Sequence, residues 1–141
     1  LKIITNNINI VNIVAHSPNC EVWVAGGKLR TADNAIIGSV ASDFIKNFKI
    51  DYAIVGVSAI DKEGTLLDFD HDELMVTKTI YEQSRKIILI ADANKFERKA
   101  PYITAHLKDV HTFVTDKKPS KEIVSICNKN NVELIISPPN F

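Results

Sequence analysis

Thr5, Asn6 and Asn7 are the first residues along the chain whose types suit the binding of a small anion. They stand between a strand-like segment and a helical pattern, and free backbone N–H groups at the start of a helix favour negative charge. Their hydroxyl and amide side chains add hydrogen-bond donors and acceptors. The same residue types are typical of an ordinary helix N-cap, so the segment indicates either a cap or part of an anion site.

A second group with anion-binding character, Gly26, Gly27 and Arg30, follows the next strand-like segment. Adjacent glycines let a ligand approach the backbone closely, and a guanidinium can donate two parallel hydrogen bonds to a phosphate or carboxylate. A turn followed by solvated basic side chains would have the same sequence. Both interpretations remain open at this point.

Polar residues also follow the two strongly apolar segments in the middle of the chain. Gly56 interrupts the first segment, which indicates close packing against its backbone. Asp61 comes shortly after it and could accept hydrogen bonds from ligand hydroxyls or begin a turn. Asp92 and Lys95 follow the second segment, and a lysine there is well placed to balance a phosphate.

Short strand-like runs alternate with helical periodicity along the whole chain. The predicted strands cover residues 2–5, 20–25, 51–57, 86–92, 112–116 and 133–136. One predicted helix begins after Asn7, and three more cover residues 36–47, 72–84 and 120–130. This alternation predicts one α/β domain over residues 1–141, with a mostly parallel sheet and helices on both faces. Because ligands bind beyond the carboxyl ends of parallel strands, we expect the polar groups described above to converge there.

The apolar positions predict which side of each element is buried. Ile10 and Ile13 share one face of the first predicted helix, and a stripe beginning at Ile37 and including Val40 marks the second. The nearly continuous apolar run at residues 51–57 predicts a strand covered on both faces.

The composition indicates an ordinary globular protein, with 45% apolar residues, 24% charged residues and a formal net charge of zero. Disordered chains have fewer apolar residues and a larger net charge, so disorder is not expected here. Surfaces that bind nucleic-acid phosphates typically carry a basic excess, so this part of the protein is not expected to bind DNA. Cys20 and Cys127 share no metal-type spacing with histidine, so we expect core thiols in a reducing cytoplasm. No apolar run approaches the length of a membrane span.

The sequence contains no motif for nucleophilic catalysis, nucleotide phosphates or metal binding. G-x-S-x-G, the Walker loop and G-x-G-x-x-G are all missing, and the four histidines lack paired metal spacing. We therefore expect no cofactor and no metal. The residues by themselves predict an α/β domain that binds a small polar anion.

Five sequence blocks, in order, resemble the C-terminal sensor domain of DeoR-type transcriptional repressors. They are TNN at 5–7, AGGKLR at 25–30, IIGSVASDFI at 36–45, DYAIVGVSAIDKEGTLLDFD at 51–70 and ADANKF at 91–96. The resemblance implies a fold similar to ribose-5-phosphate isomerase and a role without catalysis, in which a phosphorylated metabolite binds as inducer. Glycerol-3-phosphate is the expected inducer. The resemblance implies a pocket for this inducer lined by Thr5, Asn6, Asn7, Gly26, Gly27, Arg30, Gly56, Asp61, Asp92 and Lys95. Glu73, an acid in the predicted helix at 72–84, would also line it.

The resemblance also implies partners and further sequence. Operator DNA would be bound by a winged-helix domain that this chain lacks, and the protein would be a homo-oligomer. The first strand of the sensor and a Gly-Thr-Thr phosphate loop would precede Leu1. The chain is therefore expected to be an N-terminally truncated domain that binds its effector weakly or not at all by itself.

Two other functions remain open on the sequence. A sugar-phosphate isomerase needs a carboxylate base and a group that stabilises an enediolate, and Asp61, Glu73 and Lys95 supply the residue types. The acidic cluster of such isomerases is not evident around residues 51–70, which counts against catalysis. An oligomerisation module without a ligand would not need polar groups at several strand ends.

Overall fold

In the computed structural model, which describes residues 1–140, strands and helices alternate along the chain. The strands are β1 (Lys2–Thr5), β2 (Glu21–Val24), β3 (Lys28–Arg30), β4 (Ala35–Ile37), β5 (Ile50–Val55), β6 (Ala59–Ile60), β7 (Thr65–Asp68), β8 (Ser84–Ile90), β9 (Tyr102–His106), β10 (Thr112–Thr115) and β11 (Glu133–Ile136). The α-helices are α1 (Ile8–Val14), α2 (Ser39–Ile45), α3 (His71–Gln83) and α4 (Lys121–Lys129). Short 3-10 helices span Ala93–Glu97 and Leu107–Asp109. Over residues 1–140, no helix has both the length and the apolar character needed to cross a membrane.

A four-stranded parallel sheet in the order β11-β10-β8-β5 forms the centre of the fold. β1 and β2 form a separate parallel pair, β3 and β4 form an antiparallel hairpin, and β6, β7 and β9 form a small antiparallel sheet. The predicted α/β class with a mostly parallel sheet is therefore confirmed. The carboxyl ends of β5, β8 and β10 lie along one edge of the central sheet because these strands run in the same direction.

The main hydrophobic core lies on one face of the central sheet. Phe113 of β10 and Leu89 of β8 are fully buried there, and α4 contributes Ile123 and Cys127. The expectation of a core thiol is thus confirmed for Cys127, whereas Cys20 is only half-buried.

A second cluster joins α2 to α3. It contains Ala41 and Ile45 of α2 with Val76 of α3. A buried hydrogen bond between the hydroxyl groups of Ser42 and Thr79, 2.6 Å long, fixes the two helices further. This cluster places the start of α3 against the β3–β4 hairpin region.

The prediction that the first helix buries one face is wrong. α1 contains no buried residue, Ile10 is exposed, and Ile13 is 71% exposed. The helical spacing shows which residues share a face, but it does not show whether another element covers that face.

The second predicted helix is a strand followed by a shorter helix. Residues 36–47 contain the end of β4 and the whole of α2, separated by Gly38, whose φ of +92° favours glycine. Ile37 is buried as part of β4, and Val40 is exposed instead of lying in the predicted stripe. Strands of three residues are too short to show the alternation that identifies a strand.

β5 is buried on one face only, within the part of the chain that the structure describes. Ala53 and Val55 belong to the main core, whereas Tyr52 is exposed and Ile54 is 71% exposed. The prediction of burial on both faces is therefore wrong here. The apolar run correctly identified a central strand, but it did not show what covers each face.

Phe113→Ala is expected to lower the free energy of unfolding by about 3–5 kcal/mol, because Phe113 is 0% exposed and its truncation leaves a cavity. Urea denaturation followed by circular dichroism measures the change. Phe69→Ala is the matched control, because Phe69 is 53% exposed and its truncation should change stability by less than about 1 kcal/mol. Equal losses in the two variants would contradict the assignment of the core.

Candidate functional site

A polar cavity of about 390 Å³ lies beyond the carboxyl ends of β1 and β5, between the β3–β4 hairpin, α3 and the 3-10 helix after β8. The predicted site residues that line it are Asn6, Asn7, Arg30, Gly56, Glu73 and Lys95. Those that do not line it are Thr5, Gly26, Gly27, Asp61 and Asp92. A second, more open depression of about 280 Å³ along α4 carries none of the predicted residues.

The Thr5-Asn6-Asn7 segment both caps α1 and fastens the hairpin. The Asn7 side-chain oxygen accepts from the backbone N–H of Asn9 at 2.9 Å, and the Thr5 hydroxyl oxygen accepts from the N–H of Asn7 at 3.1 Å. The Asn6 amide donates to the carbonyl of Ile36 in β4 at 2.9 Å. The N-cap interpretation is therefore observed, and two of the three side chains also reach the cavity wall.

Gly27 is needed because the backbone at this position packs closely against β4. Its φ is +141°, and a Cβ there would lie 3.1 Å from the side chain of Ile36 and 3.3 Å from the carbonyl oxygen of Ile37. The residue lets the chain enter β3 closely against β4, away from the cavity lining. A Cβ on Gly26 would meet open space.

Arg30 lies among three carboxylates. Its Nε and Nη2 donate to the two oxygens of Asp33 at 2.9 and 2.6 Å, and Nη1 lies 3.2 Å from Asp70 and 2.6 Å from Glu73. Asp33 follows on the same hairpin, whereas Asp70 caps α3 and Glu73 lies in its first turn. The cluster therefore ties the hairpin to the start of α3.

The charges in this cluster shift one another's titration. The hydrogen bonds from Arg30 hold the pKa of Asp33 below its ordinary value. Burial alone would raise the pKa of Asp70, but hydrogen bonds from the backbone of Asp72 and from Arg30 lower it overall. The pKa of Arg30 is raised, mainly by its bonds to Asp33 and then to Glu73. The guanidinium is therefore charged and the two aspartates ionise readily.

A buried carboxylate supports the wall beneath the end of β5. Asp68 accepts hydrogen bonds from the Ser58 hydroxyl at 2.8 Å and from the N–H of Phe69 at 3.1 Å. Burial raises the pKa of Asp68, and the neighbouring charge of Glu73 acts in the same direction. The bond between Ser58 and Asp68 joins the end of the central sheet to β7.

The sequence analysis missed Asp33, Ser58, Asp68 and Asp70. Asp33 stands three positions after Arg30, a spacing that permits a local ion pair and could have indicated its role. Ser58, Asp68 and Asp70 belong to the site because of contacts between distant segments, which no local pattern in the sequence identifies.

Gly56, after β5, lines the cavity, but a Cβ there would meet nothing within 4 Å. The expectation of close packing against Gly56 is therefore wrong.

The two predicted aspartates after the central strands serve local structure. Asp61 accepts from the N–H groups of Glu63 and Thr65 at 3.0 and 2.8 Å, which makes it a turn residue. Asp92 caps the 3-10 helix through the N–H of Asn94 at 2.9 Å. Lys95 lines the cavity, half-buried.

The arrangement suits the binding of a small polar molecule and does not assemble the carboxylate–lysine set considered for isomerase chemistry. Glu73 and Lys95 line the cavity, but the carboxylate of Asp61 is used in its own turn. Residues 1–140 contain no group of three or more His, Cys, Asp or Glu side chains placed to hold a metal ion.

Comparison with known proteins identifies repressors. The chain is 35% identical over 134 residues to the glycerol-3-phosphate regulon repressor of Escherichia coli K12, covering 95% of this chain and 53% of that protein. It is 38% identical over 136 residues to the glycerol-3-phosphate regulon repressor of Haemophilus influenzae, covering 96% and 52%. It is 35% identical over 136 residues to the HTH-type transcriptional repressor CsqR of Escherichia coli K12, again covering 96% and 52%.

The chain thus spans about half the length of the curated relatives it matches. The sequence profile described as the DeoR C terminal sensor domain matches residues 1–117, which include every residue of the cavity. These relatives are regulators of transcription and not enzymes. The chain belongs to the DeoR C-terminal sensor domain family.

Proposed function

We propose that this chain binds the effector of a transcriptional repressor, and that the effector is a phosphorylated polyol, with glycerol-3-phosphate as the first candidate. The observation that carries the proposal is the cavity itself, where amide, carboxylate and ammonium side chains from several elements converge in Asn6, Glu73 and Lys95. A polyol phosphate presents hydroxyl groups and a dianion, which are the partners such side chains bind.

The names of the relatives support the choice of the first ligand to test. Two of the relatives reported above are glycerol-3-phosphate regulon repressors, at 35% and 38% identity. CsqR matches at 35% as well, so identity alone does not separate one regulon from another. Glycerol-3-phosphate is therefore the first of several phosphorylated polyols to test.

The ligand would act on DNA through the remainder of a longer protein. We infer that a DNA-binding half completes the repressor, since the relatives are about twice as long as this chain and one of them is named an HTH-type repressor. A homo-oligomer stays a prediction of the family resemblance. An inducer releases operator DNA only if it binds more tightly to the conformation with low DNA affinity. The hairpin and α3 are the elements through which the cavity could change shape, because the Arg30 cluster joins them.

NMR titration of this chain, which detects weak binding, is expected to show weak but saturable binding of glycerol-3-phosphate, and glycerol is expected to bind at least about tenfold more weakly. The reason is that a charge-assisted hydrogen bond contributes about 1.5–3 kcal/mol, which is about ten- to hundredfold in affinity.

Equal affinity for the two ligands would contradict a phosphate site in the cavity. Tighter binding of a hexose phosphate would instead retain the phosphate site and exclude glycerol-3-phosphate as the effector. In the longer repressor, the ligand that binds should also weaken operator binding in a fluorescence anisotropy assay.

A further inference from the structure

The formal net charge of zero conceals an uneven distribution of charge along the chain. Residues 117–131 contain the four lysines Lys117, Lys118, Lys121 and Lys129 and a single acid, Glu122, so this segment carries a formal charge of +3. The other residues together carry −3, since the whole chain sums to zero. A balanced composition therefore does not exclude a local basic surface of the kind that binds phosphates.

The lysines of this segment meet on the outer face of α4. Ile123 and Cys127 of α4 are buried in the main core, so the opposite side of the helix is turned outwards. That side carries the residues at 121, 124, 125, 128 and 129, a spacing that forms one stripe along a helix. With Lys118 and Pro119 before the helix, this stripe lines the open depression of about 280 Å³, which we call the α4 basic face.

The positive charges of the α4 basic face are not neutralised by neighbouring carboxylates. Lys118, Lys121 and Lys129 are exposed and make no ion pair with any acid among residues 1–140. Glu122 is the one acid of the segment, and it is not among the described residues that line the depression. Three ammonium groups are therefore available to a single anionic partner.

The length of the face favours an extended polyanion over a single phosphate group. Lys121 and Lys129 are the first and last residues of α4, which places them about 12 Å apart along the helix axis. One small phosphate cannot contact both ends, whereas the phosphates of a nucleic-acid strand repeat along its length. Ser125 and Asn128 lie between the two lysines, and hydroxyl and amide side chains also contact phosphate oxygens.

The residue types of the face favour nucleic-acid phosphates over an acidic protein. Protein interfaces are enriched in Arg, Tyr and Trp and depleted in Lys. Within the described part of the chain, the lining of the depression has three lysines, no arginine and no aromatic residue. Lysine binds phosphate as a point charge, and contacts with phosphates carry no sequence information directly.

We propose that the α4 basic face binds the phosphate backbone of duplex DNA without sequence preference. Its lysines lie beyond residue 117, where the match to the sensor profile ends, and over residues 1–140 it shares no lining residue with the candidate effector cavity. The face would add a second, weak contact to the operator DNA that the other half of the repressor binds. A site tethered beside DNA acts at an effective concentration of about millimolar, so a weak contact adds measurable affinity.

The contact is tested by fluorescence anisotropy of a short labelled DNA duplex titrated with the full chain at low salt. The unmodified chain should bind saturably. The triple variant Lys118→Gln, Lys121→Gln and Lys129→Gln should bind at least about tenfold more weakly, because it loses three phosphate contacts. If the unmodified chain does not bind the duplex at low salt, the proposal fails.

The matched control is a second triple variant with the same loss of charge elsewhere on the surface. Its substitutions are Lys49→Gln, Lys62→Gln and Lys78→Gln, all at exposed positions outside the depression. It should change the affinity for the duplex by no more than about twofold, since it removes no phosphate contact of the face. Equal losses in the two triple variants would assign the binding to overall charge and overturn the proposal.

The salt dependence gives a readout that a purely structural role of α4 would not change. Each phosphate contact adds about 0.9 to the slope of log affinity against log salt, so the unmodified chain should have a slope steeper by about 3 than the triple variant. Lys121→Gln alone should lower the slope by about 0.9, which keeps the test available if the triple variant does not fold. An unchanged slope would contradict phosphate contacts.

Two further comparisons identify the partner. Duplexes of unrelated sequence should bind equally, and a strong preference for one of them would contradict a contact with the backbone alone. Tighter binding of poly-glutamate than of the duplex would assign the face to an acidic protein and overturn the proposal. The face is independent of the proposed effector site, so the triple variant should bind glycerol-3-phosphate as the unmodified chain does.

Discussion

The candidate site depends on the ion cluster that holds Arg30 between its own hairpin and the start of α3. β3 and β4 have three residues each, and a two-stranded hairpin of that length is not stable alone. The cluster, together with the bond from the N–H of Gly38 to the carbonyl of Asp72, fixes the hairpin against α3. Because the side chains are partly exposed, the cluster contributes more to position than to total stability. Ion pairs thus fix the geometry of this side of the cavity.

A second part of the cavity wall, at the end of β5, takes its geometry from the hydrophobic core. β5 and β8 run in register from Ile50 beside Ser84 to Val55 beside Leu89, and burial of their inner faces fixes where both strands end. The Ser58–Asp68 hydrogen bond then holds the segment after β5 against β7. A carboxylate with a pKa raised by burial is stable there because two donors satisfy it. Two hydrogen bonds to one buried carboxylate thus hold this part of the wall in place.

The sequence was informative where a physical constraint is local. The long apolar runs identified β5 and β8, and Lys95, which follows β8, lines the cavity beyond the end of β5. Asn6 also lines it, although β1 belongs to a separate pair of strands, which the rule that parallel strands of one sheet end at one edge does not cover. The rule failed for Asp61 because its position after a strand says nothing about the direction of the side chain, which a turn decides here. Arg30 lines the cavity, and two of its three carboxylate partners lie 40 and 43 positions further along the chain, pairings that only the folded topology creates.

Family membership and ligand choice therefore rest on different parts of the molecule. The parallel strands and the sequence blocks identify a DeoR sensor domain and place a polar cavity at its strand ends. The fold does not determine which metabolite enters, because that depends on the polar and charged side chains that line the cavity. Arg30 is held by ion pairs between the hairpin and α3, and Lys95 follows a strand of the main core. The metabolite that fits is therefore the one whose polar groups match the carboxylates around Arg30 and the ammonium of Lys95.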